Sequence, residues 1–174
     1  PEIGQLYIWG AELGIRGNPT RRFSYFFNLT HLDKKIELPE GRVPARDDLA
    51  YLLVGGVQYV SAKGDIFSLT VNARPGLRYT PVIGGVPRPA FDTYQPLYGT
   101  DVNGSRLDDY RKISLGYSRS FPIRKSTSLL EFVNIANLEN RANAQGVFYS
   151  TNYERVLINE FPGLALYFGG ILNW

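Results

Sequence analysis

Polar and apolar residues alternate strictly through Asp65–Arg74, with Phe67, Leu69, Val71 and Ala73 on one side and Ser68, Thr70, Asn72 and Arg74 on the other. A period of two marks a β-strand whose two faces meet different surroundings. The same alternation runs through Tyr7, Trp9, Ala11, Leu13 and Ile15, and through Phe23, Tyr25, Phe27 and Leu29, where Phe26 is out of step. It returns at Leu49, Tyr51, Leu53, Val57 and Tyr59, at Ile113, Leu115 and Tyr117, and at Leu164, Leu166, Phe168, Leu172 and Trp174. A seventh segment near 128–138 is less regular, because Glu131 and Asn134 fall on opposite faces. The pattern therefore predicts about seven strands of roughly 10 to 14 residues, about twice the usual globular length and close to a tilted membrane-crossing strand.

The predicted connections alternate in length. Gly17–Thr20, Ser61–Gly64 and Pro122–Ser126 are tight links rich in turn formers. The links at 34–47, 75–109 and 139–161 are long and carry Pro, Gly, Asn and Tyr. Short turns at one end and long loops at the other are the asymmetry of outer-membrane barrels. A terminal Trp174 after an alternating strand fits the aromatic belt of a membrane interface. Because single-chain bacterial barrels have even strand numbers, seven strands imply that further wall strands lie outside this chain.

Composition narrows the alternatives. Aromatic residues make up 14% of the 174 residues, and cysteine is absent, which excludes a disulfide framework and a thiolate site. A net charge of +3 is spread over scattered pairs such as Arg21-Arg22, Lys34-Lys35 and Arg124-Lys125, each read as a solvated turn, with no clustered basic face for nucleic acid. No stretch approaches the roughly 18 to 20 apolar residues of a spanning helix. The chain opens at Pro1 without a basic and then apolar leader, so it is expected to be a mature product or a fragment.

Six landmarks lie in order along nearly the whole chain: Gly10-Ala11-Glu12-Leu13 with Asn18-Pro19, Pro44-Ala45-Arg46-Asp47-Asp48-Leu49, Arg78-Tyr79-Thr80-Pro81, Arg106-Leu107-Asp108-Asp109-Tyr110-Arg111, Asn134-Ile135-Ala136-Asn137 and Phe161-Pro162-Gly163. Together they resemble the last third of the barrel of TonB-dependent outer-membrane receptors, although Asp108 stands where proline is common. The resemblance implies an all-β fold: residues 1–174 as an antiparallel transmembrane β-barrel segment, part of a wall of about 22 strands. It implies import of a scarce nutrient of the siderophore, cobalamin, metal or glycan class. The expected partners are outer-membrane lipid and lipopolysaccharide, an N-terminal plug and upstream strands absent from this chain, TonB acting through the plug, and a small nutrient ligand. No cofactor or nucleic acid is expected. The alternative is a small self-standing eight-stranded outer-membrane barrel acting as an anchor, an adhesin or a narrow pore.

Candidate chemistry is sparse. His31 is the only histidine, so no His-based triad or multi-histidine metal site is available, and its pairing with Asp33 supplies at most half of one. An outer-membrane lipase or protease is therefore disfavoured, and no catalytic or metal residue is assigned. The pairs Asp47-Asp48 and Asp108-Asp109 are read as loop charges, since alternation sends neighbours to opposite faces and away from glycosidase geometry. Asp101-Val102-Asn103-Gly104-Ser105 lacks the sixth-position glycine and closing glutamate of a calcium loop. Ile83-Gly84-Gly85-Val86-Pro87 has no following Lys-Ser/Thr and reads as a flexible external loop rather than a phosphate loop. Arg78, Arg88, Tyr94, Tyr98 and Asp101, on the longest loop, are the candidates for contacting a ligand. Glu12, Asn28, Asn72 and Arg74 are expected to face the lumen and the plug.

Overall fold

The computed structural model describes residues 4–174. It contains strands β1 (Leu6–Thr20), β2 (Phe23–Leu38), β3 (Gly41–Pro44), β4 (Leu49–Val60), β5 (Ile66–Arg74), β6 (Arg78–Tyr79) and β7 (Val82–Arg88). After a 3₁₀ turn at Pro89–Phe91 come β8 (Thr93–Tyr98), β9 (Ser105–Arg106), β10 (Tyr110–Arg124), β11 (Thr127–Ala136), β12 (Ala144–Tyr149), β13 (Val156–Glu160) and β14 (Ala165–Asn173). No helix among the described residues is long and apolar enough to cross a membrane.

One antiparallel sheet organises the chain, in the order β1-β2-β4-β5-β10-β11-β14, with β3 folding back on β2. These seven path strands are the seven periodic segments of the sequence, and the irregular one is β11. Register makes the alternation physical, because Leu29 pairs Leu53, Leu53 pairs Ala73, Val57 pairs Leu69, Leu69 pairs Leu115 and Leu115 pairs Ile135. Apolar side chains thus stack across the strands on one face, called here the aromatic face. Ser68, Thr70, Asn72, Ser114 and Asn134 fall on the other, mixed face.

Phe26, out of step in the sequence, has a partner on the mixed face. It pairs Gly56, where a Cβ would lie 2.7 Å from its ring, and Phe132 covers Gly169 in the same way at 2.8 Å. An aromatic ring laid over a cross-strand glycine restores the packing that the glycine lacks.

Several boundaries differ from the periodic reading. Gly17–Thr20 belongs to β1 and carries a register shift, so the actual turn is at Arg21-Arg22. Pro122 pairs Ser128 inside the β10–β11 ladder, and the turn is at Lys125-Ser126. Turn-forming composition here marks bulged strand ends rather than the reversal itself. The long links are not bare loops, because β3 folds back on β2 within the sheet while β7–β8 and β12–β13 form separate hairpins. Ile83–Pro87, expected to be a flexible loop, lies within β7: Gly84–Pro87 pair with β8 and Ile83 is the unpaired residue of a register shift.

Hydrophobic burial is almost absent. Among the described residues the buried apolar side chains are Ala45, Pro75, Leu107 and Ala144, all at the loop end. Leu13 is 54% exposed, Phe67 47%, Phe168 78% and Trp174 91%. The sheet is a single layer with no second layer covering its aromatic face.

Candidate functional site

Three regions have distinct chemistry: the aromatic face, the loop-end rim and the turn-end rim. On the aromatic face, Tyr59, Phe67 and Tyr117 lie in one register row near the tight turns, with the Phe67 and Tyr117 rings 5.3 Å apart. Near the loop end stand Trp9, edge-on to His31 at 5.3 Å, and Tyr51. Between these levels the face is Leu, Ile, Val and Phe with Ala11, Gly55 and Ala73. Two open furrows run along it, one lined by Val57, Leu69, Leu115 and Val133 and the other by Phe27, Leu53, Val57 and Val71. They contain no charged group that would select a ligand.

The loop-end rim is stitched by buried polar side chains. Asp48, 8% exposed, accepts from Arg78 Nε at 3.0 Å, from Arg106 Nη2 at 3.2 Å and from the Lys34 backbone N–H at 3.2 Å. Arg106 also donates to the carbonyls of Asp48 and Gly76, and Asn103 Nδ2 donates to Pro44 O at 2.9 Å. This ties the bases of two long connections to one carboxylate. Asp47 is more exposed and bonds Lys34 Nζ at 2.6 Å, which lowers its pKa below the ordinary value. At the other side of the rim, Asn143 Oδ1 accepts the Arg111 N–H and Asn143 Nδ2 donates to Arg111 O, both at 2.9 Å, imitating a strand neighbour. Asn137 bonds the backbone of Arg141 in both directions. Asn137 and Asn140 both adopt positive φ, which asparagine tolerates better than most residues.

The sequence-selected residues divide among the mixed face, the loop-end rim and the connection beyond it. Glu12, Asn28, Asn72 and Arg74 share the mixed face; Asn28 pairs both Gly14 and Val54, and Asn72 pairs Lys112. Asn72 Oδ1 is buried without a partner, whereas Arg74 donates to Pro75 O and lies over the Tyr110 ring. Arg78 is held in the Asp48 cluster at the rim rather than presented on a loop. Arg88 bonds Gln95 at the far end of the β7–β8 hairpin. Tyr94 and Tyr98 lie two steps of alternation apart on β8, so they share one hairpin face. The carboxylate of Asp101 closes on Gly104 in a turn where Asn103 has positive φ. The five residues therefore form no single pocket. His31 Nδ1 sits 2.7 Å from Ala50 O, and among the described residues no group of acidic, His or Cys side chains is arranged to hold a metal.

The β7–β8 and β12–β13 hairpins meet. The Val82 N–H donates to Tyr149 Oη at 3.0 Å, and Gly85 lies against Asn152 O, where a Cβ would stand at 2.5 Å. Glycine is required here by close backbone approach.

The turn-end rim was not legible as a unit in the sequence. Segments 16–24, 58–67 and 117–131 are far apart in the chain, yet the sheet order brings their turns to one edge. Together they carry seven Lys and Arg against two Asp and Glu, a net +5, leaving 12 basic and 14 acidic residues for the rest of the chain. The signal was available in the alternation of short and long connections, which fixes which turns share an end. Asp65 is in this rim and its pKa lies below the ordinary value, first because the Ser61 hydroxyl donates to it at 2.7 Å, then through Tyr117 Oη and Arg119.

No family model, curated protein or solved structure matches the chain.

Proposed function

We propose that the chain is wall and outer-loop structure of an outer-membrane β-barrel, and that its parent is a TonB-dependent receptor importing a scarce nutrient. The observation that carries the barrel reading is the aromatic face: continuous across seven strands, bracketed by aromatic side chains, and uncovered by any described element. In water such a face would be an aggregation surface far larger than monomers tolerate. In a bilayer it needs no partner, and the ladder satisfies the backbone as lipid demands.

Strand parity argues against closure of the seven path strands on themselves and leaves the choice between a large wall and an eight-stranded one to the landmarks. Every neighbour on the seven-strand path is antiparallel, so β1 and β14 run in the same direction. Closing β14 on β1 would create a parallel pair. An all-antiparallel wall takes an odd number of additional strands, and lipid allows no bare edge. On this reading the mixed face meets the plug, the hairpins beyond the rim meet cargo and lipopolysaccharide, TonB acts through the plug, and no bond is made or broken. The resemblance of the six landmarks supplies the choice of receptor; siderophore, cobalamin, metal and glycan cargoes all suit it.

The chain has no cysteine, so single cysteines can carry spin labels along β5. Labels at 67, 69, 71 and 73 should be accessible to lipid-soluble oxygen and those at 68, 70 and 72 should not. Loss of this alternation would sink the barrel reading. The intact mass of the native polypeptide separates the two membrane readings: several times 19.6 kDa supports the receptor, and a mass near that value supports the small barrel.

A further inference from the structure

We propose that the turn end of the sheet binds the headgroups of anionic phospholipid, with its principal site in the recess beside the β1–β2 turn. The inference rests on the membrane reading above and adds a ligand class to a rim that reading leaves unassigned. The recess, of about 320 Å³, is lined by Asn18, Thr20, Arg21, Arg22 and Ser24, with Phe23 and Val60 as its apolar wall. Thr20 Oγ1 accepts the Arg22 and Phe23 N–H groups at 3.3 and 3.1 Å, which fixes the turn without engaging either guanidinium.

Charge supports the assignment. Among the described residues neither Arg21 nor Arg22 has an acidic partner, and the same holds for Lys63, Arg124 and Lys125 in the two neighbouring turns. The sole ion pair of this rim joins Arg119 to Asp65 at 3.4 Å. In the rest of the described chain ion pairs are commoner, with Lys34, Lys35, Arg42, Arg78, Arg106 and Arg111 each paired to a carboxylate. Neighbouring turns along the rim are two strands apart, about 10 Å, so one turn can engage one lipid while the next engages its neighbour.

Position selects lipid over other anions. The recess lies at the strand ends and takes residues from both faces: Ser24 and Val60 alternate to the mixed face, whereas Phe23 continues into the aromatic row, paired with Tyr59 and followed by Tyr25 paired with Val57. A ligand that satisfies both features has an apolar tail against the face and a phosphate at the height of the guanidinium groups. Guanidinium suits phosphate through its planar fork of donors. A nucleic acid or acidic peptide would leave the aromatic face uncovered.

The test uses the native protein reconstituted in vesicles, with a bimane fluorophore on a Val57→Cys substitution and lipids brominated in the acyl chain. Brominated phosphatidylglycerol and brominated phosphatidylcholine are compared as quenchers in mixed bilayers. Phosphatidylglycerol should be enriched about fivefold at the label, from the attraction of a basic side chain to an anionic surface. The enrichment should fall towards one in the Arg21→Gln/Arg22→Gln variant, and in about 1 M salt, where the screening length is about 3 Å. Inorganic phosphate should compete no better than chloride at equal ionic strength. Equal quenching by the two lipids in the unaltered rim overturns the proposal and leaves the membrane reading standing. No quenching by either lipid overturns the membrane reading itself. Specific competition by inorganic phosphate reassigns the recess to a free anion.

Discussion

A single arginine moved along and across β4–β5 measures whether the aromatic face is covered by hydrocarbon. Tyr51 and Tyr59 bracket that face on β4, and Gly55, halfway between them, pairs Val71. Four residues separate Gly55 from either tyrosine, about 13 Å along a strand and about 10 Å of depth at a tilt near 40°. On the barrel reading Val71 is a midplane position, and Val71→Arg should destabilise the protein by about 2–4 kcal/mol. Tyr59→Arg, at the interfacial level, should cost about 0–1 kcal/mol beyond the lost ring contacts. Thr70→Arg, one residue away but on the mixed face, should stay within about 0.5 kcal/mol. The assay is urea unfolding of protein in phospholipid vesicles, followed by tryptophan fluorescence and by heat-dependent mobility in gels. In a sheet bathed by water, Val71→Arg would be another surface substitution near zero. Three values within about 0.5 kcal/mol of one another would refute the argument from depth and face together.

Asn143→Ala removes both bonds to the Arg111 backbone and should cost about 2–3 kcal/mol, read as faster proteolysis within 139–161. Asp48→Asn leaves Arg78 and Arg106 without a counter-charge and should cost about 3 kcal/mol; an unchanged unfolding midpoint would show that the cluster is dispensable. Gly85→Ala places a Cβ against Asn152 O, so the two hairpins should separate, giving stronger hydrogen exchange at Val82 without unfolding of the sheet. Asp65 titrates below its ordinary 3.8, so its contribution is fully present above that value and is lost as pH falls through the lower, folded one. Carbon NMR of the Asp65 carboxyl should report that lowered midpoint, and Ser61→Ala should raise it towards 3.8.

Strand identity was readable because a half-covered sheet imposes a period of two that no other element imitates. Leu69, Val71 and Leu115 announce their face one residue at a time, and register follows when their rows are aligned. Phe26 and Gly56 show the limit. A cross-strand ring-over-glycine pair is one contact shared by two distant segments, and within either segment alone it looks like a broken alternation. The same reason hid the Asp48 cluster. Nothing in Pro44–Leu49 says that Arg78 and Arg106 converge on it, so Arg78 read as a loop residue available to ligand while the fold uses it to hold the loop base. The basic rim was missed because charge was judged along the sequence, whereas antiparallel order sums it over alternate turns.

The distribution of polar side chains then has a physical reason. A chain that commits its large apolar residues to an uncovered face has few left to build a core under its loops, and here those are Ala45, Pro75, Leu107 and Ala144. Order at the loop end must come from hydrogen bonds instead, which are directional and become costly to break once shielded from water. Asp48, Asn137 and Asn143 meet that requirement, each bonding backbone or guanidinium groups from segments far apart in the chain. Such a rim fixes the bases of the hairpins while leaving their far ends, with Arg88 and Tyr94, exposed. Hydrogen-bonded bases with exposed tips suit the receptor reading, in which the tips meet a small ligand while the strands beneath keep their register.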